Sequence, residues 1–431
     1  MKNDLILAGL SARKHTFILP LNYSDPQGKK IQIFARELIS TNTAPDTNER
    51  PFLVFFQGGP GFGAVRPTAN SGWIKRALVE FRVLLLDQRG TGLSSPINHL
   101  TLAHFNSEQQ AEYLSHFRAD NIIRDAEAIR AQLCPGQKWS VLGQSFGGFC
   151  VLKYLNDAPE GLDEAYITGG IPSLTRPADE VYQATYQRVL AKNHAFFTRF
   201  SDAQQLVSQL AAHITHHEVR IATGERLTVE MLQLIGINIG MEQGAESVYY
   251  LLEHALITTD NGPEINPLFL AQFCQLLDFN THPIFALLHE SIYCQHTASN
   301  WSAQRIRAQY DEFNYHQDKP FLFTGEMIYP WFFEQFTNLK PLKQAAHLLA
   351  SKRDWPTLYN VDILANNHVP IAAAIYSEDM FVDMGYSLES SKQIGHLNYW
   401  LTSEYEHNGI RMDGEYILDK LIALNRGQQL R

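Results

Sequence analysis

The strongest chemical signal in the sequence is the pentapeptide Gly143–Gln144–Ser145–Phe146–Gly147. The apolar run Trp139–Leu142 before it predicts a buried strand, and the residues after it have the apolar spacing of a helix. A serine in this strand, turn and helix context lies on a sharp turn that exposes its hydroxyl group, and the next backbone N–H points toward a developing oxyanion. Ser145 is therefore the candidate nucleophile, and the N–H group of Phe146 is a candidate oxyanion donor.

A second glycine-rich segment, Gln57–Gly63, follows the apolar run Pro51–Phe56, which predicts a strand buried on both faces. Its glycines indicate a backbone that approaches another group closely. A Walker phosphate loop is excluded because no Gly-Lys-Ser/Thr follows, and Pro60 fits a dinucleotide-binding turn poorly because it lacks an N–H. In a serine hydrolase such a loop supplies the second oxyanion donor, here the N–H of Gly58.

A serine nucleophile needs a base within hydrogen-bond reach and a carboxylate that orients the base. The expected chain order is serine, acid, histidine, and all three lie beyond the carboxyl ends of parallel strands. Asp379 follows the predicted strand Val369–Tyr376, and His407 follows the predicted strand Asn398–Ser403. Position thus selects Asp379 as the acid and His407 as the base.

Other acids and bases fit this rule less well. His368 and His396 precede their strands and so lie at the wrong end of the sheet. Glu378 and Asp383 follow the same strand as Asp379 and stay open as alternatives for the acid.

The elements that must position these groups alternate between strand and helix up to about residue 174 and resume after residue 350. We predict an α/β fold of the α/β-hydrolase type, with a mostly parallel central sheet and helices on both faces. Residues 1–174 and 351–431 form its two parts. Residues 175–350 have almost entirely helical spacing and predict an inserted helical cap.

Two cap segments contain a carboxylate among apolar residues: Ala286–Cys294 with Glu290 and Phe321–Trp331 with Glu326. An unpaired buried carboxylate is costly, so each must be solvated, paired or functional. Two such groups in a cap above an active site are candidates for holding a cation.

The bulk composition excludes several classes of function. The chain has 431 residues and a net charge of −10, which argues against binding to nucleic acid or to an anionic membrane. No apolar run is long enough to span a membrane, and the stretch Met1–Leu10 is too short for a signal peptide. We expect a cytoplasmic protein, and the sequence leaves a homo-oligomer open.

No metal site is predicted. The four cysteines are scattered without C-x-x-C spacing, which also indicates a reducing compartment. His213, His216 and His217 have helical spacing but no carboxylate partner, which is typical of a solvated helix face.

With these residues in place, the chain resembles the proline iminopeptidases, which are serine exopeptidases of the α/β-hydrolase superfamily, and most of all their longer bacterial branch. The resemblance covers nearly the whole chain. It rests on Gly58–Gly61, on the segment Asp87–Ser94 with sequence Asp-Gln-Arg-Gly-Thr-Gly-Leu-Ser, on the turn at Ser145, and on the late Asp379 and His407. Many members have His in place of Gln57 and Trp in place of Phe146, changes expected to affect substrate preference more than reaction type.

The resemblance implies release of an N-terminal proline from short peptides, without a metal or other cofactor. It implies that Glu290 and Glu326 hold the free amine of the substrate. Packing of the pyrrolidine ring is then expected from aromatic residues, namely Phe146, Tyr293, Phe323 and Trp331.

Two alternatives stay open from the residues themselves. One is a carboxylesterase or another small-substrate hydrolase with the same triad, because fold does not fix function. Such an enzyme would have no use for two glutamates facing the cleft. The other is a non-catalytic binding protein, although such proteins usually lose a member of the triad.

Overall fold

The central element of the computed structural model is a twisted nine-stranded sheet. The structure describes residues 4–41 and 49–428, so Met1–Asn3 of the N-terminal stretch considered above lie outside it. The nine strands of this sheet are β1 (Leu5–Leu7), β2 (Leu10–Pro20), β3 (Lys30–Ser40), β4 (Phe52–Phe56), β5 (Arg82–Asp87), β6 (Trp139–Gln144), β7 (Leu162–Thr168), β10 (Ile371–Tyr376) and β11 (Leu397–Thr402), and a separate pair is formed by β8 (Leu256–Thr259) and β9 (Gly262–Ile265).

The sheet order is β1-β2-β3-β5-β4-β6-β7-β10-β11. Neighbouring strands are antiparallel in the series β1-β2-β3-β5. They are parallel in the remaining series, β5-β4-β6-β7-β10-β11. The chain moves from β4 to β5 on one side and then to β6 on the other. The order of the sheet therefore reverses beside β4, where open α/β sheets place their ligands.

Helices cover both faces of the sheet and form most of the segment between β7 and β10. They are α1 (Gly72–Ala77), α2 (Ser107–Ser115), α3 (Ala119–Leu133), α4 (Phe146–Asp157), α5 (Ala178–Arg199), α6 (Ala203–His216), α7 (Val229–Gln233), α8 (Gly244–Glu253), α9 (Pro267–Gln275), α10 (Pro283–Leu288), α11 (Ser302–Arg307), α12 (Phe332–Gln335), α13 (Lys343–Ser351), α14 (Val361–Ala365), α15 (Met384–Ser391), α16 (Gly409–Met412) and α17 (Gly414–Asn425).

Strand β4 explains the continuous apolar run seen in the sequence. Phe52, Val54 and Phe56 pack into the core beneath α3, α4 and the cap, whereas Leu53 and Phe55 pack into a second core with α1 and α17. Because successive side chains of a strand point to opposite faces, a strand covered on both sides is apolar throughout. The mostly parallel sheet with helices on both faces is as predicted.

The segment between β7 and β10 holds helices α5 to α14 and one element that the sequence analysis did not predict. This is the two-stranded hairpin β8–β9, joined by Asp260 and Asn261. Asn261 followed by Gly262 is a strong hairpin signal that was available in the sequence. Among the described helices, none has the length and hydropathy needed to cross a bilayer.

The loop after β5 is held by two buried charges. Asp87 accepts hydrogen bonds from the N–H groups of Ala64 (2.9 Å) and Leu93 (2.8 Å), and it pairs with Arg66. This fixes the β5 loop against the glycine-rich loop that follows β4.

Arg89, in the same loop, forms a bidentate pair with Asp125 of α3 at 2.8 and 2.6 Å, and both side chains are almost fully buried. We expect Arg89→Met to lower the free energy of unfolding by about 3–5 kcal/mol, because it leaves the Asp125 charge buried without its partner. Urea denaturation measures this change. Lys75→Met is the control because it breaks the exposed pair with Glu415, and it should cost less than about 1 kcal/mol. Equal costs for the two variants would contradict the prediction.

Candidate active site

Ser145 lies at the turn between β6 and α4 in a strained backbone conformation, with φ 56° and ψ −127°. At this turn α4 approaches β4 very closely. A Cβ atom at Gly147 would lie 1.9 Å from the carbonyl oxygen of Phe56, so no other residue fits there. The local sequence therefore holds the serine hydroxyl group above the carboxyl end of the sheet.

Ser145, His407 and Asp379 form a continuous hydrogen-bonded series. The hydroxyl Oγ of Ser145 lies 2.8 Å from Nε2 of His407, and Nδ1 of His407 lies 2.7 Å from Oδ2 of Asp379. Nδ1 must donate to the carboxylate, which leaves Nε2 free to accept the serine proton. All three side chains are buried.

Asp379 is held in place by the backbone that follows β10. Its Oδ1 accepts hydrogen bonds from the N–H groups of Phe381 (2.8 Å) and Val382 (3.0 Å), while Oδ2 faces His407. Both oxygens therefore have partners, which satisfies a carboxylate that is only 1% exposed. The alternative acid Asp383 instead caps α15 and pairs with Arg188.

The pKa of His407 is raised above its ordinary value by competing effects. Burial favours the neutral ring and lowers the pKa, but the charge of Asp379 and its hydrogen bond to the ring raise it by more. The charge of Glu326 adds to the increase, and the charge of Arg411 opposes it. The site therefore favours the imidazolium that forms when His407 takes a proton.

The two residues predicted to donate backbone N–H groups to an oxyanion, Phe146 and Gly58, both lie beside Ser145. Phe146 begins α4, so its N–H has no acceptor within the helix. Gly58 packs against the turn so closely that an added Cβ would lie 2.9 Å from Cβ of Ser145. The side-chain amide of Gln57 is satisfied when its oxygen, Oε1, faces the donors around it. In this orientation Oε1 of Gln57 accepts a hydrogen bond of 3.3 Å from the N–H of Gly58.

A cavity of about 140 Å³ opens beside Ser145 and His407. Its walls combine the glycine-rich loop with apolar side chains and three charged groups; the apolar set is Phe62, Ile237, Met241 and Phe285, and the charged set is Asp278, Glu326 and Arg411. Larger surface grooves occur elsewhere, such as one of about 790 Å³ at the amino ends of β7 and β10, but they lie far from the serine.

Glu326 is the predicted cap carboxylate that the structure brings to this cavity. Its Oε2 lies 3.2 Å from Nε2 of the buried His289, and Nδ1 of His289 lies 3.2 Å from the hydroxyl group of Tyr182. This places a negative charge near the nucleophile, flanked by a histidine ring.

Glu290 does not line the cavity, contrary to the expectation. Its Oε1 accepts a hydrogen bond from the N–H of Ala303 (2.9 Å) at the start of α11, and it faces a separate small cavity beside Trp301. Its Oε2 is buried without a hydrogen-bond partner among the described residues. Burial raises the pKa of this carboxyl group, although hydrogen bonds from Ser299 and Ala303 oppose the increase.

The aromatic residues expected around the substrate also lie elsewhere. Phe323 is a core residue, fully buried in the cap against Phe196 and Phe197, whereas Trp331 is partly buried, stacks on Tyr329 and packs against the core. Tyr293 packs edge-on against Phe149 and Tyr182, and the ring of Phe146 packs near Phe149, so neither residue lines the cavity.

The sequence analysis did not predict the residues that form the cavity walls instead of these aromatic residues. Phe62 belongs to the glycine-rich loop, and its ring packs against Phe285 of α10 at 5.3 Å. Arg411 and Asp278 were not considered at all. Only the position of Arg411, shortly after the candidate base, was a signal that the sequence offered.

Comparison with known proteins gives a family model and several relatives. The model of the alpha/beta hydrolase fold matches residues 51–260. A protein of Aeromonas sobria named proline iminopeptidase is 55% identical over 422 residues, which cover 98% of each chain.

Two further relatives carry similar names. Proline iminopeptidase aneH of Aspergillus aculeatus is 32% identical over 419 residues, 95% of this chain and 92% of that protein. A proline iminopeptidase of Neisseria meningitidis is 30% identical over 130 residues, which cover 30% of this chain and 35% of that protein.

The raised pKa of His407 predicts how the reactivity of Ser145 depends on pH. The base must be neutral to accept the serine proton, so reactivity falls as the pH drops through an apparent pKa above 6.5. The rate of labelling by a neutral fluorophosphonate measures this, since the probe itself does not titrate. In Glu326→Gln the apparent pKa should be lower, because one charge that favours the imidazolium is removed.

Ser145→Ala is the control for this experiment and should not be labelled. An apparent pKa at or below 6.5 in the unmodified enzyme, or the same value in Glu326→Gln, would contradict the prediction.

Proposed function

The chain belongs to the proline iminopeptidases, serine hydrolases of the alpha/beta hydrolase fold, and we propose that it releases the N-terminal proline of short peptides through an acyl-enzyme on Ser145. The triad is Ser145, His407 and Asp379. The N–H groups of Gly58 and Phe146 form the oxyanion hole.

The observation that carries this proposal is the position of Glu326 in the cavity beside Ser145. A carboxylate there is unfavourable for an ester with a neutral acyl group, but it is a suitable acceptor for the protonated imino group of an N-terminal proline. Binding of that cation fixes which carbonyl group reaches the nucleophile.

The size of the cavity supports the same substrate. About 140 Å³ is well below the roughly 300–1,000 Å³ that pockets for larger ligands have, which favours a small substrate such as a short peptide. Phe62, Met241 and Phe285 offer apolar walls to a pyrrolidine ring. A peptide with further residues before the proline would meet Glu326 and the cap. The enzyme therefore acts on the free N-terminus, as an exopeptidase.

In the acylation step His407 removes the proton of Ser145, and Oγ forms a bond to the carbonyl carbon of proline. The oxyanion accepts hydrogen bonds from Gly58 and Phe146. His407 then transfers its proton to the departing amine as the C–N bond breaks. Asp379 stays ionised throughout and stabilises the imidazolium.

In the deacylation step water replaces the departed amine. His407 accepts a proton from this water, whose oxygen bonds to the acyl carbon, and then returns the proton to Oγ of Ser145 as the ester bond breaks. Free proline leaves and the triad is restored.

Recognition of the amine is tested by comparing proline β-naphthylamide with its N-acetyl derivative. We expect kcat/KM for the free amine to exceed that of the acetylated form by at least about 100-fold, because acetylation removes the cation that Glu326 binds and adds bulk toward the cap. Ser145→Ala should lose both activities. Equal cleavage of the two substrates, or cleavage of p-nitrophenyl esters alone, would instead identify a general esterase.

The two cap glutamates give a matched pair of variants. Glu326→Gln should lower kcat/KM for proline β-naphthylamide by about 10- to 150-fold, the loss expected for a hydrogen bond to a charged group. Glu290→Gln should change kcat/KM less than about threefold and lower the melting temperature instead, because that carboxylate caps α11. If Glu290→Gln loses as much activity as Glu326→Gln without loss of stability, Glu290 binds the amine and our assignment is wrong.

A further inference from the structure

Arg411 places a positive charge in the Ser145 cavity that the reaction described above does not use. It lies on α16, shortly after His407, and lines the same cavity as Ser145 and Glu326. Within residues 4–41 and 49–428, no carboxylate lies within ion-pair distance of its guanidinium group. Twelve of the 20 arginines that the structure describes form such pairs, and of the eight that do not, Arg411 lines the cavity of the nucleophile.

The contact that Arg411 makes is with a neutral group. Its Nη2 donates a hydrogen bond of 2.8 Å to Oε1 of Gln57, the residue before the oxyanion glycine. A guanidinium group has five N–H donors and a full charge, so this bond leaves most of its donors and its charge available to a ligand.

The other charged groups at this end of the cavity come from the cap. Burial lowers the pKa of Arg411, and the charge of Asp278, which also lines the cavity, opposes this decrease. Asp278 lies beyond ion-pair distance from Arg411, and its Oδ1 is 3.8 Å from Nδ1 of His282. Asp278 therefore competes weakly for Arg411 without neutralising it.

We propose that Arg411 binds the C-terminal carboxylate of the substrate, so that the enzyme prefers free proline dipeptides to C-terminally blocked or longer peptides. This inference rests on the proposed function, since it assumes that the amine lies at Glu326. A dipeptide carries one positive and one negative end, and the cavity offers Glu326 from the cap and Arg411 from α16. Guanidinium groups match the two oxygens of a carboxylate in a bidentate arrangement.

Peptide length follows from the same geometry. Each additional residue moves the terminal carboxylate by up to about 3.3–3.6 Å, which takes it away from a guanidinium group held by Gln57. Longer peptides would still be cleaved, but without this contribution to binding.

The test compares Pro-Ala with Pro-Ala-NH₂, which differ only in the terminal charge. We expect the ratio of their kcat/KM values to be about five- to tenfold in favour of the free acid at low salt, and to decrease as salt screens the half-exposed pair. In Arg411→Met the ratio should fall to about one. Arg411→Lys should keep part of it, because a lysine retains the charge but not the bidentate geometry.

Arg411 also affects the cleavage of both substrates equally, through Gln57 and through the pKa of His407. These shared effects cancel in the ratio of the two kcat/KM values, so the ratio is the quantity to measure. Asp278→Asn is the control of opposite sign, since removal of the competing charge should increase the ratio. A ratio near one in the unmodified enzyme, or a ratio unchanged in Arg411→Met, would overturn the inference.

Proline β-naphthylamide, which has no carboxylate, separates this result from the proposed function. If it is cleaved well while the two dipeptides do not differ, the inference is wrong and the proposed function stands. If neither the naphthylamide nor Pro-Ala is cleaved, the proposed function fails, and the inference fails with it.

Discussion

The arrangement of this molecule depends on one constraint: a buried imidazole must be held between a hydroxyl group and a carboxylate that come from three distant parts of the chain. The hydrogen bonds of 2.8 and 2.7 Å on either side of His407 require the ends of β6, β10 and β11 to lie at one edge of the sheet. A parallel sheet achieves this without long loops, because the carboxyl ends of its strands are neighbours. The antiparallel strands β1 to β3 extend the sheet on the far side and take no part in the site.

The second feature of the site is its distribution of charge. Asp379 and Glu326 both favour a positive charge on His407, and Arg411 opposes them. Between buried groups such as Asp379 and His407, such interactions are stronger than in solution. His407, Glu326 and Arg411 are therefore electrostatically coupled, and a change at Glu326 or Arg411 alters the pKa of His407.

The sequence was sufficient for the fold class and for the three residues that the structure brings into hydrogen-bond contact, because both follow from local rules. Apolar runs located the strands of the sheet, and the requirement for strand ends selected Asp379 and His407 from many alternatives. The cap was different. Its helices carry core residues such as Phe323 and a helix cap such as Glu290, and only tertiary packing determines which polar or aromatic side chain faces the cavity. Composition alone does not separate a functional carboxylate from one that caps a helix.

The most direct test of this account is a crystal structure of Ser145→Ala with bound Pro-Ala. We predict that the proline nitrogen lies within hydrogen-bond distance of Glu326 and that the scissile carbonyl oxygen faces the N–H groups of Gly58 and Phe146. A peptide bound with its amine in solvent, or with its carbonyl oxygen turned away from these N–H groups, would contradict the account.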